Sequence, residues 1–389
     1  MYEPVLPLFA RDVIFVGAPL GEHPMKGDLI ALILLVGATL ACGGGSNGSR
    51  TTTPSGTISW QAVSTPFSQL NFIDFGSNGH WFIADRNQGF FRSTDGGSSW
   101  TQINSGVATS FGWTINVNPS TGDLFAGIYS SGGPNLHPVG FYRSSDEGGT
   151  WTAIQAGTLD SSPAWTGCAF AANGNPVCGG YWAPSPTAGA WFSTNGGQSF
   201  TAAATTSTNG DTAFALALNP ATNDLWMGTE QYGIFRSTDD GATWNVASPP
   251  DTTIDSVHGI DDGNIFAITF DRSGNVLFGS QGGIWKSAKN GNSFTWSNVK
   301  GNSNTADGIA LARDANGTLY YGHTKDASDP TSIYCSTDDG NTWKACDSGM
   351  PQFLQVRRFV LNPSDRKLYA VGHDANDQGM LYRTVNPIQ

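Results

Sequence analysis

Charge is scarce in this sequence. Only 13% of its 389 residues are Asp, Glu, Lys or Arg, and 31 acids against 19 bases leave a formal net charge of −12. That balance excludes a nucleic-acid partner, because phosphate contacts need a basic footprint. The acidity reads instead as a solvated surface. Long apolar runs are also missing: the run from Leu29 to Ala41 falls short of the roughly 20 residues a membrane-spanning helix needs. Five cysteines contain no Cys-x-x-Cys pair, and six histidines contain no pair at helical ligand spacing. Neither a metal centre nor a cofactor is therefore expected.

Turn residues and rings are abundant. Fifty Gly, 22 Phe and 13 Trp describe a turn-rich all-β protein, long enough to bury a large core. The phrase Phe91-Arg-Ser-Thr-Asp-Gly-Gly-Ser-Ser-Trp100 recurs at Tyr142–Trp151, Phe235–Trp244 and Tyr334–Trp343, with weaker copies at Ser193–Phe200 and Ser287–Phe294. The serines of the copies stand at 93, 144, 193, 237, 287 and 336, so the steps run from 44 to 51 residues. A period near fifty with short strands between turns marks a radial array.

Each copy makes sense as a hairpin. Aromatic residues before the Ser suit a strand, which resumes at the Trp. Between them the Asp bonds its own backbone and the Gly accepts positive φ, while the Trp is expected to cover the turn. The fourth repeat divides into strands at Ala213–Leu218, Leu225–Gly228, Gly233–Ser237 and from Trp244. The chain ends on Met380–Val385, which matches a third strand and has no fourth. Ile58–Val63 resembles the fourth strands, so an N-terminal strand is expected to complete the last blade and remove the exposed edges. The expectation is one all-β, monomeric, seven-bladed β-propeller over residues 57–389.

The N-terminal part reads differently. Met25-Lys26, the apolar run and the small residues before Cys42 form a secretory signal over residues 25–41. Residues 1–24 then read as an over-extended gene start. Cys42 would be lipidated, anchoring the protein to a bacterial envelope membrane, and residues 42–56 form a flexible tether. The remaining cysteines support export. Cys168 and Cys178 flank the turn at Asn173-Gly174, and Cys335 and Cys346 stand opposite across the sixth hairpin. Two cross-strand disulfides follow if the compartment is oxidising, and two pairs of buried thiols are the alternative.

Six turn phrases around a ring cannot all be one active site. Strand alternation puts the loops between second and third strands, and those leading into first strands, on the opposite face. Asp85, Glu230 and Asp374 fall there and are the candidate catalytic carboxyls, since glycoside hydrolysis needs a carboxyl pair. Trp113, Trp165, Trp182 and Tyr232 fall beside them and are candidate sugar-stacking rings. His323 and His373, just after a Gly at the end of a second strand, and Arg357 complete the candidate ligand-binding set. Blade packing is the alternative for each Trp.

The Ser-x-Asp-x-Gly-x-x-Trp phrase resembles the Asp-box, or bacterial neuraminidase repeat, shared by sialidases, xyloglucanases, sortilin-type receptors and photosystem II assembly factors. The sialidase pattern includes an Arg-Ile-Pro segment that this sequence lacks, so sialidase activity is not expected. Resemblance to xyloglucanases, seen in repeat length and in the Gly233–Trp244 phrase, implies polysaccharide hydrolysis, with Asp85 loosely matching a first catalytic Asp. Resemblance to the assembly factors implies a non-catalytic scaffold; of their Arg-rich face only Arg86, Arg357 and Arg358 have counterparts. The function expected is an exported lipoprotein that binds, and with a competent carboxyl pair hydrolyses, a polysaccharide. The alternative is a scaffold that docks an envelope protein.

Overall fold

The computed structural model describes residues 58–107, 111–128, 140–154, 164–181, 187–205, 212–229, 232–247, 265–280, 283–290, 293–301, 310–322, 331–351, 355–374, 376 and 378–388. The segments read as gene start, signal and tether, Cys42 included, lie outside the described residues. No helix occurs among the described residues.

The first strand, β1 (Trp60–Ala62), belongs to the last sheet. One four-stranded antiparallel sheet holds β2 (Leu70–Phe75), β3 (Trp81–Asp85), β4 (Gly89–Ser93) and β5 (Thr101–Gln102). The next holds β6 (Gly112–Val117), β7 (Leu124–Ile128), β8 (Phe141–Ser144) and β9 (Thr152–Ala153). An eight-stranded sheet follows. Its first antiparallel quartet is β10 (Ala164–Phe170), β11 (Pro176–Tyr181), β12 (Thr187–Phe192) and β13 (Thr201–Thr205). The second is β14 (Ala213–Leu218), β15 (Leu225–Thr229), β16 (Ile234–Ser237) and β17 (Thr243–Val246), joined to the first where β13 pairs with β17 in parallel. Two further sheets hold β18 (Ile265–Phe270), β19 (Val276–Ser280), β20 (Gly283–Asn290) and β21 (Ser293–Gly301), then β22 (Ala310–Arg313), β23 (Leu319–Gly322), β24 (Ile333–Ser336) and β25 (Lys344–Ala345). The last holds β26 (Gln355–Leu361), β27 (Leu368–His373) and β28 (Gly379–Thr384), with β1 on the outside of β28.

The first strand of each group packs on the first strand of the next. β2 lies on β6, β6 on β10, β10 on β14, β14 on β18, β18 on β22, β22 on β26, and β26 returns to β2. That closed cycle of innermost strands makes the chain a β-propeller. These strands are covered on both faces, so β6, β14 and β18 are buried at every position. Burying one Phe or Leu fully is worth about 1.5–3 kcal/mol, and the stability of the ring comes chiefly from such residues.

The repeated phrase folds as the sequence predicts in five copies. Ser93 Oγ donates to Asp95 Oδ1 and accepts the Gly97 amide, both at 2.8 Å, and Asp95 accepts the Ser99 amide at 2.8 Å. The same bonds recur from Ser144, Ser237 and Ser336. In the third copy Asn195 takes the place of Asp and still accepts from Ser193 Oγ and the Ser199 amide. The fifth copy departs from the pattern. Ser287 lies inside β20, its Oγ accepts the Val276 amide, and β20 runs into β21 through the pair Asn290↔Ser293. Lys289 stands at the Asp position, and an ammonium group offers no acceptor for the turn amides.

Acid should act on these turns. The Ser99 hydroxyl and amide and the Ser93 hydroxyl hold the Asp95 carboxyl down to about 2. The Ser144 hydroxyl and Thr150 amide lower Asp146. Burial pulls upward at Asp239 and Asp338, but bonds from Thr243 and Thr342 outweigh it. A carboxyl whose folded pKa lies below its unfolded value near ~3.9 stabilises the fold above that value, and the contribution is lost as pH falls through the folded one. For Asp95 the window is about 4 to 2. Buried Asp314 is raised, so it opposes the trend by protonating first in the fold. The thermal midpoint is therefore expected to fall through this window, and to fall less when Asp95, Asp146, Asp239 and Asp338 are all changed to Asn. Asn195 shows that the turn tolerates the amide. Identical acid profiles for the two proteins would contradict the assignment.

The Trp of the phrase does not always serve its own turn. Trp343 Nε1 donates to Gly340 of its turn, but Trp151 reaches the preceding sheet, with its amide on Ser105 O and Nε1 on Ile103 O. β1 repeats that joint. Trp60 gives its amide to Ser348 O and Nε1 to Cys346 O, both at 2.8 Å. Gly106 and Gly349 make equivalent bends at φ 91° and 90°, where a Cβ would strike the Trp151 and Trp60 carbonyls. The expected closure by an N-terminal strand is thus present, with Trp60↔Thr384, Gln61↔Arg383 and Ala62↔Tyr382 in register.

Candidate functional site

The face opposite the turn phrases is built from the ends of second strands and the starts of first strands. Six first strands begin with a register shift, between Leu70/Phe72, Gly112/Thr114, Trp165/Gly167, Ala213/Ala215, Ile265/Ala267 and Val356/Arg358. A bulge re-aims the residue it skips. The skipped residues are Asn71, Trp113, Thr166, Phe214, Phe266 and Arg357, so two candidate ligand-binding residues, Trp113 and Arg357, occupy a recurring structural position. They lie in strands, not in the connections where the sequence reading put them, and Trp165 likewise belongs to β10. β6, β14 and β18 are buried at every position, so no period-two break in their sequence announces the bulge.

Several bulge residues tie neighbouring sheets together. Asn71 Nδ2 donates to Trp113 O and Thr166 Oγ1 to Ala213 O, each at 2.7 Å, and Phe214 stacks on Phe266 at 5.8 Å. Trp113 is buried, and the Arg86 guanidinium lies 5.5 Å from its ring centroid. Arg357 is half-buried beside Gln355. Next to it Arg358 is fully buried, with its guanidinium 3.2 Å from the Phe72 ring centroid. Burial pushes Arg358 down to about 9 and raises Asp74, each shift opposed by attraction between the two.

The candidate carboxyls are engaged by their own loops. Asp85 is buried at the end of β3. Its Oδ1 accepts the Asn87 and Gln88 amides at 2.9 Å, and its Oδ2 the Gln69 amide at 3.2 Å. Asp374 accepts the Gln378 and Asn376 amides at 2.9 and 2.8 Å, which hold its carboxyl below the usual range. His373 ends β27 as Asp85 ends β3, and it is buried with Nε2 3.1 Å from Leu70 O. Asp85 and His373 are both set against the entry of β2. Tyr232 and Phe111 stand in solvent, 37% and 40% exposed. Trp182, Glu230 and His323 lie outside the described residues, as does the side chain of Trp165. No group of His, Cys, Asp and Glu among the described residues is arranged to hold a metal ion.

Both disulfides are formed, Cys168–Cys178 and Cys335–Cys346. The first joins residues directly opposite in register. The second is diagonal, since Cys335 faces Lys344 and not Cys346. Two disulfides are characteristic of proteins in an oxidising compartment.

No family model matches the chain. A xyloglucanase from a Paenibacillus species is 26% identical to it over 283 residues, 67% of this chain and 24% of that protein. The chain therefore matches only about a quarter of the length of that relative. Among solved structures, YCF48 from Cyanidioschyzon merolae superposes with a TM-score of 0.58 at 14% identity, over 84% of this chain and 98% of that one. An ancestral GH74 enzyme superposes with a TM-score of 0.56 at 15% identity, over 84% and 48%. Virginiamycin B lyase from Staphylococcus aureus gives 0.56 at 13% identity, over 84% and 99%. The chain has the propeller fold. At such identities the likeness carries architecture and not activity.

Proposed function

We propose that the chain is an exported propeller of seven blades, lipid-anchored through Cys42, that binds a polysaccharide on the face opposite its Asp-box turns. Reading the eight-stranded sheet as two blades supports the count. The observation that carries the binding assignment is the pair of solvent-facing rings. Exposed large hydrophobics among the described residues are Phe111, Tyr232, Val246 and Val385, and both aromatic ones stand on this face. Sugar rings stack their C–H faces on such aromatics, and the 26% match to a xyloglucanase points to the same ligand class. A hydrolytic pair needs one carboxyl held protonated near neutral pH and one ionised; Asp374, held below the usual range, suits the ionised role and not the acid.

Affinity electrophoresis in gels cast with xyloglucan and other neutral polysaccharides tests this. Retardation is expected, and Phe111→Ala or Tyr232→Ala should weaken it by about tenfold, the value of one aromatic contact. Unretarded migration in every gel, or variants that match the wild type, would sink the assignment. A docking scaffold is the second reading, favoured by Arg86 on Trp113 beside Phe111, since aromatics and Arg are enriched in interface cores. A structure of YCF48 with a bound D1 peptide also superposes, with a TM-score of 0.60 at 14% identity. A stoichiometric protein recovered from envelope membranes, and retained against excess polysaccharide, would select it.

A further inference from the structure

We propose that the Cys335–Cys346 disulfide is a redox-responsive clamp on the strand that closes the ring. Every other outermost strand continues its own sheet's hairpin, so the chain itself holds it near its place. β1 is the exception, because no hairpin joins it to β28, and it is held there and on the preceding sheet by hydrogen bonds and the packing of Trp60. Its seat on that preceding sheet is the short segment after β25: Trp60 donates to the carbonyls of Cys346 and Ser348. β25 and the residues after it hold their own sheet through Tyr334↔Ala345, Cys335↔Lys344, the Cys346 amide on Ile333 O and the Ser332 amide on Asp347 Oδ2. The disulfide therefore fastens the seat of β1 directly at Cys346. At the equivalent joint inside the ring, Trp151 on Ile103 and Ser105, no disulfide occurs and none is needed for continuity.

The two disulfides differ in access. Cys168 and Cys178 are both 0% exposed within the core, whereas Cys335 is 8% exposed and Cys346 is half-buried. A small dithiol reductant is the reaction partner. One of its thiolates attacks Cys346 Sγ, the S–S bond breaks, and Cys335 leaves as a thiolate. The second thiolate of the reductant then displaces Cys346. Two electrons pass to the cysteines, which take up two protons, and the reductant ends as its own disulfide. The segment after β25 then keeps its short ladder and the Ser332 amide on Asp347 Oδ2, without a covalent tie, and β1 loses the rigidity of its seat.

The experiment treats the folded wild type with a graded dithiol, without denaturant, alkylates the free thiols, and follows hydrogen exchange. Alkylation of Cys335 and Cys346 is expected before Cys168 and Cys178. Amides of residues 58–63 should then exchange at least about tenfold faster, with the Trp151 joint unchanged. A Cys335→Ser/Cys346→Ser variant should show the same faster exchange without reductant; if it does not fold, selective reduction of the wild type still decides. Unchanged exchange at 58–63 after selective reduction would overturn the clamp. So would simultaneous reduction of both disulfides, or equal acceleration at the Trp151 joint.

Discussion

Replacing Arg358 with Met is expected to destabilise the ring by about 3–5 kcal/mol, the cost of breaking a charge pair whose arginine is fully buried. At roughly 2 °C per kcal/mol for a domain this large, the thermal midpoint should drop by about 6–10 °C. Asp74 is half-buried, and burial raises its pKa even with Arg358 nearby. Without the guanidinium, that carboxyl must stay charged in an apolar site or take up a proton. The site matters because of where it sits. Asp74 belongs to β2, Arg358 to β26, and Asp74 Oδ2 accepts the Val117 amide of β6 at 2.9 Å. One carboxyl thus spans the last, first and second sheets. The double variant Asp74→Asn/Arg358→Met should recover most of the loss, since Asn still offers the Val117 amide an acceptor and no charge remains. A double variant no more stable than the single one would place the cost in packing around Phe72 and not in the charges.

The parts of this molecule that were legible in the sequence are the ones whose physics is local. A turn phrase makes its bonds within five residues, from Ser93 to Gly97 or Asp95 to Ser99, so its chemistry is spelled out in its letters. The N-terminal closing strand is legible for a related reason: its Ser59-Trp60 start matches the internal Ser99-Trp100 and Thr150-Trp151. The fifth copy departs where Lys289 offers no acceptor at the position that Asp or Asn fills in the other copies. The candidate site was less legible. Strands buried on both faces carry no alternating pattern, so nothing in Gly112–Val117 says that Trp113 sits on a bulge. Nor did position after a strand-ending residue reveal that Asp85 and His373 face the neighbouring strand rather than solvent. Those outcomes depend on how sheets pack on one another, a non-local property.

Removing the Trp60 side chain should have the second large effect, about 3–5 kcal/mol for a buried Trp cut to Ala. Trp60 is buried among Leu311, Phe359, Leu368 and Tyr382, with the Phe359 ring centroid 6.1 Å away. Its loss also leaves Cys346 O without the indole donor. Trp151 is the control, since it is equally buried and makes the same pair of bonds to the preceding sheet. The packing cost of Trp151→Ala should be similar, but the consequences should differ. β9 remains tied to β8 through its hairpin, whereas β1 has no such link to β28 and would leave it as an open edge. Trp60→Ala should therefore show early proteolysis ahead of residue 70, rapid exchange along β28 and concentration-dependent aggregation, none of which Trp151→Ala should show. Matching proteolysis and exchange in the two variants would mean that β1 is held by packing common to every joint, and that closing the ring adds nothing of its own.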